Sequence, residues 1–190
     1  MEHFYQGIQN WFNYEDVILE AIEKAQDGAS FVEIGIWKGA SAAFTGVEII
    51  NSGKKIQYDA IDSFHGSREH GDVSSFLYDE CKGNLQPLID AGAINLIQAN
   101  SPDVAANYAD ASLDFCFIDA SHEYEDVKAD IAAWLPKVKP GGILAGHDFY
   151  GVDHPGYGKG WVGVFQAVDE AFGHENVKNT KDSWVYYKPA

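Results

Sequence analysis

The sequence predicts an α/β domain with a seven-stranded, mostly parallel sheet, helices on both faces and a C-terminal antiparallel hairpin. Short continuous apolar runs alternate with segments of helical periodicity, which is the pattern of strands buried on both faces. The last two runs are separated only by Lys181 and Asp182, a spacing typical of a hairpin. We expect residues 1–190 to form one domain, with an N-terminal helical segment at 1–27 and the sheet-based fold at 28–188.

The predicted elements follow in a regular order. Asn13 is expected to cap a first helix, because the apolar positions from Val17 to Ala25 have helical spacing. Gly83 and Pro87 are expected to break the third helix, and Ser101 to cap the fourth. The strands are predicted at 30–35, 55–62, 94–100, 112–120, 141–149, 176–180 and 183–188. The helices between them are predicted at 41–52, 74–92, 101–108, 124–136 and 163–172.

The composition excludes several classes of partner. The formal net charge is -16, which disfavours nucleic acid and anionic membrane surfaces, because both require basic patches. No apolar run approaches the ~18 residues of a membrane span, and no signal peptide is visible. We therefore expect a soluble, cytoplasmic chain that acts on a small molecule. Cys81 and Cys116 have neither disulfide context nor metal-ligand spacing.

Polar side chains end all five consecutive parallel strands. In sheets of this kind ligands bind outside the carboxyl ends of the strands, near the point where the strand order reverses. A chance arrangement of this regularity is hard to accept, so the sequence predicts a ligand site along this edge. The strand-end residues are Glu33, Asp62, Asn100, Ser101, Asp119, His147 and Asp148.

The turn after the first strand, "VEIGIWKGAS", restricts the kinds of ligand that can bind. Gly35 and Gly39 let a ligand approach the backbone, although a tight strand-to-helix turn would require the same residues. A dinucleotide fingerprint has a further glycine where Trp37 stands, and a bulky aromatic there would obstruct a pyrophosphate. An adenosine ligand without phosphates fits better. Glu33 could then contact a cationic group or a water beside it.

Asp62 ends the second strand, 23 positions after Gly39. A carboxylate in this place can accept hydrogen bonds from both ribose hydroxyls. The alternative is a turn or helix-capping role.

The chain resembles the class I S-adenosylmethionine-dependent methyltransferases. "VEIGIWKGAS" is similar to their first motif, and "DAIDSF" to their ribose-binding acidic motif. "SLDFCFIDASHEYEDVKADIAAWLPKVKPGGILAGHDF" is similar to their fourth and fifth strands with the intervening helix. The resemblance implies a Rossmann-like fold, with Asn100 and Ser101 beside the adenine. It implies that the cofactor is bound by Glu33, Gly35, Trp37, Gly39, Ser41, Asp62, Ser63, Phe64, Asn100, Ser101 and Asp119.

One branch of that family is more similar: small metal-dependent O-methyltransferases resembling catechol O-methyltransferase, and bacterial enzymes acting on sugar hydroxyls and natural products. The resemblance implies a metal held by Asp119, His147 and Asp148. Asp119, His147 and His122 then become the catalytic residues, with His122 as base where the catechol-like pattern has a lysine. A histidine ligand shifts the preference from Mg²⁺ toward Mn²⁺, Fe²⁺ or Zn²⁺. The alternative is that the histidines are acid–base groups without a metal.

The sequence thus predicts methyl transfer to the hydroxyl of a sugar, phenol or natural product. Two other classes stay open: a nicotinamide-dependent oxidoreductase, and a non-catalytic adenosine- or metal-binding module. A homodimer is also left open. The glycine-rich loop 150–160 is expected to form a lid, with Tyr157 and Trp161 packing on the acceptor. Asp126 and Asp130, four apart on one helix, are expected to face solvent.

Overall fold

The computed structural model describes residues 1–66, 76–150 and 161–190. In this part of the chain one seven-stranded sheet has the order β3-β2-β1-β4-β5-β7-β6. All pairs from β3 to β5 are parallel, and β7 is antiparallel to both of its neighbours. The predicted fold class is therefore confirmed. The strands are β1 Ala29–Ile34, β2 Ile56–Asp62, β3 Asn95–Gln98, β4 Leu113–Ile118, β5 Val138–Gly146, β6 Lys178–Thr180 and β7 Ser183–Tyr187.

The strand order reverses between β1 and β4, which places the switch point at the centre of the sheet. Ile34 at the end of β1 is paired with Ile118 at the end of β4 and with Ile61 of β2. The carboxyl ends of these three strands therefore lie level with one another, and the loops that follow them open on one crevice.

Helices cover both faces of the sheet, and each face has its own apolar core. The alternation of side chains along β4 sends Phe115 and Phe117 to one core and Cys116 and Ile118 to the other. The first core is covered by α1 to α3, and the second by α4 to α6. The helices are α1 Glu15–Lys24, α2 Ala40–Ser52, α3 Leu77–Asp90, α4 Ser101–Val104, α5 Tyr124–Trp134 and α6 Val162–Phe172.

The predicted break in the third helix is wrong. Helix α3 runs unbroken through Gly83 and Pro87. Its buried positions Leu77, Cys81 and Leu85 have helical spacing, so packing against the sheet outweighs the local preference of the two breakers.

Both predicted helix caps are also wrong, and each side chain makes a longer-range contact. Helix α1 is preceded by Tyr14 and has no side-chain cap, while the Asn13 amide bonds to Asp182 at 2.8 Å. Ser101 is the first residue of α4 and donates its hydroxyl to Asp130 at 2.5 Å. Asp130 is consequently buried, not solvated as its helical spacing had predicted.

The turn after β1 lies directly against the end of β4. Gly35 has φ 82°, and a Cβ built on it would lie 2.0 Å from the carbonyl oxygen of Asp119. The backbones also approach closely one residue earlier, because the Asp119 N–H donates to the Ile34 carbonyl at 2.7 Å. Only glycine combines this positive φ with room for the neighbouring backbone.

Within the described residues no helix is long and apolar enough to cross a membrane. Cys81 and Cys116 are both free and buried, and burial raises the pKa of each thiol. They pack as small apolar residues of the two cores.

Replacing Gly35 with alanine should cost much more stability than the same change at Gly28. Both glycines have a positive φ, of 82° and 87°, but a Cβ at Gly28 meets nothing within 4 Å. Gly28→Ala should therefore cost only the left-handed backbone penalty, about 1–2 kcal/mol. Gly35→Ala adds a backbone clash and should cost about 4 kcal/mol or more. Urea denaturation of the two variants measures the difference, and equal losses would show that the close approach of Gly35 to β4 is unimportant.

Candidate active site

A cleft of about 1010 Å³ opens at the carboxyl ends of the parallel strands. One wall consists of residues that follow β1, β2 and β3, and the other of residues that follow β4 and β5. Residues 9–14 of the N-terminal segment close one end. Since the loops of both halves of the sheet contribute, the cleft has the position expected for a ligand site at a switch point.

Two carboxylates and two imidazoles converge at the β4–β5 side of this cleft. Asp119 follows β4, and His147 and Asp148 follow β5. His122 Nε2 lies 2.9 Å from Asp148 Oδ2. His147 Nδ1 lies 3.3 Å from Asp148 Oδ2 and 3.7 Å from Asp119 Oδ1. Asp119, His122 and Asp148 each offer a ligand atom within 4.8 Å of the others, so this group could bind a metal ion.

The protonation of His147 is set by its neighbours. Its Nε2 lies 2.9 Å from Asn13 Oδ1, and the Asn13 amide nitrogen donates to Asp182. An amide oxygen only accepts, so Nε2 of His147 carries the hydrogen and Nδ1 faces the carboxylates. Burial lowers the pKa of His147, but Asp119 and Asp148 outweigh burial and raise it to about 10. In the absence of another cation the ring is therefore an imidazolium at neutral pH.

Asp148 has a strained backbone and two basic partners. Its φ is 56°, in the left-handed region that aspartate tolerates better than most residues. Burial would raise the pKa of Asp148, but hydrogen bonds from His122 and His147 keep it below its usual range. The His122 ring stacks on Trp161 with ring centroids 4.3 Å apart, which fixes its orientation at the cleft wall.

Behind the cleft, Glu33 lies in a buried network with two tyrosines. The Tyr58 hydroxyl donates to one oxygen of Glu33, and the Tyr14 hydroxyl lies 3.4 Å from the other. Tyr14 also lies 3.1 Å from Asp119 Oδ2, so it connects Glu33 to the cleft. Burial raises the pKa of Glu33 to about 7, although the hydrogen bonds from Ser41, Tyr58 and Tyr14 oppose this shift.

The Asp62 carboxylate fixes the glycine-containing turn. Its Oδ2 accepts the N–H groups of Ile36 and Trp37 at 3.0 and 2.9 Å, and its Oδ1 accepts the N–H of Phe64 at 2.7 Å. Burial raises the pKa of Asp62 in spite of these bonds. Trp37 thereby keeps a φ of 50°, unusual for a bulky residue. A carboxylate offers about four lone-pair positions, so about one remains for a ligand.

A second polar group lies at the end of the cleft that follows β3. Trp134 Nε1 donates to Ser101 Oγ at 2.9 Å, and Ser101 donates to Asp130 Oδ1 at 2.5 Å. Ser101 and Asp130 both line the cleft. Burial raises the pKa of Asp130 to about 6 against the opposing hydrogen bond from Ser101, so its carboxyl group is mostly ionised at pH 7.

Most of the predicted site residues line this cleft. All four predicted catalytic and metal-binding residues, Asp119, His122, His147 and Asp148, do so. The predicted cofactor residues that line it are Gly35, Trp37, Ser41, Asp62, Ser63, Asn100, Ser101 and Asp119.

Three predicted cofactor residues lie behind the lining. Glu33 is 2% exposed, and its partners Tyr14 and Ser41 lie between it and the cleft. Gly39 precedes α2, and a Cβ on it would meet Leu85 of α3. Phe64 is buried against Tyr78 at a ring distance of 5.2 Å. These residues shape the cleft walls, and any effect they have on a ligand is indirect.

Sequence reasoning missed the side chains that reach the cleft from outside the strand ends. Asn13 and Tyr14 precede the first helix and carried no motif, so only the folded chain shows their contacts with His147 and Asp119. Asp130 had a usable signal: it is one turn before Trp134 on a helix whose buried face includes both. Of the predicted lid 150–160, residues 151–160, including Tyr157, lie outside the described residues, while Trp161 is described and stacks on His122.

The strand order and the cleft together define a class of protein. A seven-stranded sheet whose last strand is antiparallel, with a nucleoside-sized cleft at its switch point, is the class I S-adenosylmethionine-dependent methyltransferase fold. Residues 32–149 match the family described as "Methyltransferase domain", and the chain belongs to that family. S-Adenosylmethionine is accordingly its cofactor. The nicotinamide-dependent alternative is not favoured.

Solved structures share this fold over nearly the whole chain. The O-methyltransferase NovP superposes with a TM-score of 0.68 at 16% identity, over 93% of this chain and 79% of that one. Cofactor-bound Rv0187 from MTB superposes with a TM-score of 0.65 at 15% identity, over 93% of this chain and 79% of that one. CalS11, a TDP-rhamnose 3′-O-methyltransferase of calicheamicin biosynthesis, superposes with a TM-score of 0.61 at 15% identity, over 91% of this chain and 76% of that one. At these identities the likeness shows a common fold.

A curated relative is matched over a shorter stretch. The uncharacterized protein y4gI of Sinorhizobium fredii is 27% identical over 89 residues, which is 47% of this chain and 10% of that protein. This chain therefore spans about a tenth of the length of that relative.

The buried Glu33 should make the protein less stable as the pH rises from 5 to 8. Its pKa is raised from 4.5 to about 7 in the folded state, so the folded state binds the extra proton. The stability from this proton is complete below pH 4.5 and is lost as the pH passes about 7. The wild type should lose about 2 kcal/mol of its free energy of unfolding in this way, and Glu33→Gln should not show this loss.

Urea denaturation at pH 5 and pH 8 measures this effect. The exposed Glu23→Gln on α1 is the matched control and should keep the wild-type pH dependence. A Glu33→Gln variant with the same pH dependence as the wild type would show that the proton is not bound there.

Proposed function

We propose that this chain is an O-methyltransferase that methylates a hydroxyl group of a small molecule with assistance from a divalent metal. The observation that carries this proposal is the convergence of Asp119, His122, His147 and Asp148 at one side of the cleft. Carboxylates and imidazoles are the groups that bind a metal ion and remove a hydroxyl proton. No other part of the cleft combines them among the described residues.

The cofactor is proposed to lie along the β1–β3 side of the cleft. Gly35 lines this side and keeps the turn after β1 against the end of β4, where a side chain would collide with the Asp119 backbone. Asp62 has about one lone-pair position left after its three backbone bonds, enough for one ribose hydroxyl. Asn100 and Ser101 then flank the adenine. The sulfonium end points toward Asp119, where the two sides of the cleft meet.

The chemistry is a displacement at the methyl carbon. The acceptor oxygen forms a bond to this carbon, the carbon–sulfur bond breaks, and its electron pair stays on sulfur as the neutral thioether of S-adenosylhomocysteine. A neutral hydroxyl is a weak nucleophile, so its proton must leave. His122 takes this proton, and Asp148, 2.9 Å from His122 Nε2, stabilises the resulting imidazolium. Alignment of acceptor and methyl contributes up to ~7–11 kcal/mol.

The donor set fits a divalent metal. Of the group Asp119, His122 and Asp148, the two carboxylates would bind it together with His147, whose Nδ1 faces both of them because of Asn13; His122, bonded to Asp148, is kept as the base. An outer partner that fixes the histidine tautomer is usual at metal sites. When bound, the metal would acidify a hydroxyl group placed on it. A site with nitrogen among its ligands suits Mn²⁺ or Zn²⁺ better than Mg²⁺.

Several observations support a small-molecule hydroxyl as acceptor. NovP is an O-methyltransferase, and CalS11 methylates a sugar hydroxyl of TDP-rhamnose. The net charge of -16 opposes nucleic acid as a substrate.

The N-terminal segment contributes Asn13 and Tyr14 to the same cleft, which supports one domain over residues 1–190. A non-catalytic binding module would bind the cofactor without methyl transfer.

A panel of sugars, phenols and other hydroxyl compounds should reveal an acceptor in an assay with methyl-labelled S-adenosylmethionine. His122→Ala should then lower the transfer rate by about 10²–10⁴, the usual contribution of a general base. Its affinity for S-adenosylhomocysteine should stay near that of the wild type. The exposed His174, which bonds to Asp169 away from the cleft, gives the control His174→Ala. Undiminished transfer in His122→Ala would remove it as the base.

Chelation should abolish transfer, and Mn²⁺ or Zn²⁺ should restore it more fully than Mg²⁺. His147→Asp should shift this preference toward Mg²⁺, because it replaces a nitrogen ligand with oxygen. The measurement is the initial rate after exhaustive dialysis against EDTA and titration with each metal. Full activity after dialysis would exclude the metal, and His122 would then act without it.

A further inference from the structure

The hydrogen bonds from Trp134 through Ser101 to Asp130 have only one possible direction. An indole N–H can only donate, so Ser101 Oγ accepts from Trp134 Nε1 at 2.9 Å. The Ser101 hydroxyl hydrogen then goes to Asp130 Oδ1, 2.5 Å away. Toward a ligand, Ser101 has a remaining lone pair and no hydrogen to donate.

Asp130 presents a second acceptor to the same part of the cleft. Its side chain is 4% exposed and lines the cleft on α5, next to Ser101 of α4. In the part of the chain that the structure describes, Ser101 is its one hydrogen-bond partner, through Oδ1. Oδ2 is therefore available to a hydrogen-bond donor from a ligand or water in the cleft that Asp130 lines.

We infer that Asp130, with Ser101, determines cofactor specificity by accepting hydrogen bonds from the exocyclic 6-amino group of adenine. The inference rests on the proposed function, which places the adenine beside Ser101. It goes beyond that function because it assigns a specificity role to a helix residue outside the strand-end motifs.

The chemistry of the purine ring makes the assignment specific. The 6-amino group of adenine has two N–H hydrogens, which match two acceptors. A 6-oxo purine such as hypoxanthine has an acceptor oxygen in that place and would face Asp130 oxygen to oxygen. A site that bonds to an amino group strongly rejects an analogue that lacks this group. An apolar pocket discriminates much less between ligands that differ by one methylene group. The site should therefore distinguish amino from oxo purines.

Isothermal titration with two ligands tests this inference. S-Adenosylhomocysteine has the 6-amino group and an acceptor at N1, whereas S-inosylhomocysteine has a 6-oxo group and a hydrogen on N1; the rest of the two molecules is the same. The wild type should prefer the adenosine ligand by about 10- to 100-fold, the range of a hydrogen bond to a charged group. In Asp130→Asn, the amide oxygen keeps the Ser101 bond and the amide N–H₂ faces the cleft. The preference should fall at least ~10-fold, since the new donor suits the oxo group.

The ratio of the two affinities separates a loss of specificity from damage to the fold, because general damage weakens the binding of both ligands equally. Asp126→Asn removes the same charge one turn earlier on α5; Asp126 also lines the cleft but is exposed and accepts from Ser121, so this variant should leave the ratio unchanged. An unchanged ratio in Asp130→Asn, or an equal change in Asp126→Asn, would overturn the inference. Tight binding of both ligands by the wild type would also overturn it while leaving the proposed function intact. Binding of neither ligand would contradict the proposed function itself.

Discussion

Every carboxylate at the ligand edge of this sheet needs a hydrogen-bond donor, and this need organises the surrounding chain. Four of the acids stand at or just beyond strand ends and Asp130 reaches the same edge from α5, in places where an ionised group without partners is very unfavourable. Each obtains its donors from a different source. Backbone N–H groups serve Asp62, tyrosines serve Glu33 and Asp119, histidines serve Asp148, and a serine serves Asp130. The turn after β1, the N-terminal segment and α4 are each fixed by one of these bonds.

The N-terminal segment shows how far this constraint reaches. Tyr14 is fully buried and stacks on Phe117 at a ring distance of 4.3 Å, so its hydroxyl lies between Glu33 and Asp119, at 3.4 and 3.1 Å, and donates its one hydrogen to one of the two carboxylates at a time. Asn13 next to it bridges His147 and Asp182. Two adjacent residues therefore connect the ends of β1, β4 and β5 to the start of β7. Residues that precede the sheet in sequence complete the cleft in space.

The fold was predictable because it depends on patterns local to the chain. Apolar runs marked the strands, and polar residues at five consecutive strand ends marked the ligand edge. Predictions failed where a distant contact outweighed a local preference. Pro87 is tolerated because the face of α3 that includes Leu85 is buried, and Asn13 and Ser101 bond to distant residues instead of capping helices. Tyr14 could not be assigned from the sequence, because its partner Asp119 is 105 positions away.

The proposed reaction makes opposite electrostatic demands on the two halves of the cleft. The sulfonium loses its positive charge as the methyl group leaves, so uncompensated carboxylates beside sulfur would stabilise the reactants more than the transition state. The acceptor oxygen meanwhile gains negative charge and requires a nearby cation. The structure meets both demands by compensating its acids. Tyr14 donates to Asp119, and the positive charge that His147 carries without a metal lies between Asp119 and Asp148. A metal bound by the same residues would replace that proton with a larger positive charge, so proton and metal compete for one place. In the proposed reaction, the net charge beside the acceptor oxygen, and with it the ease of forming the nucleophile, would be set by which of the two is bound.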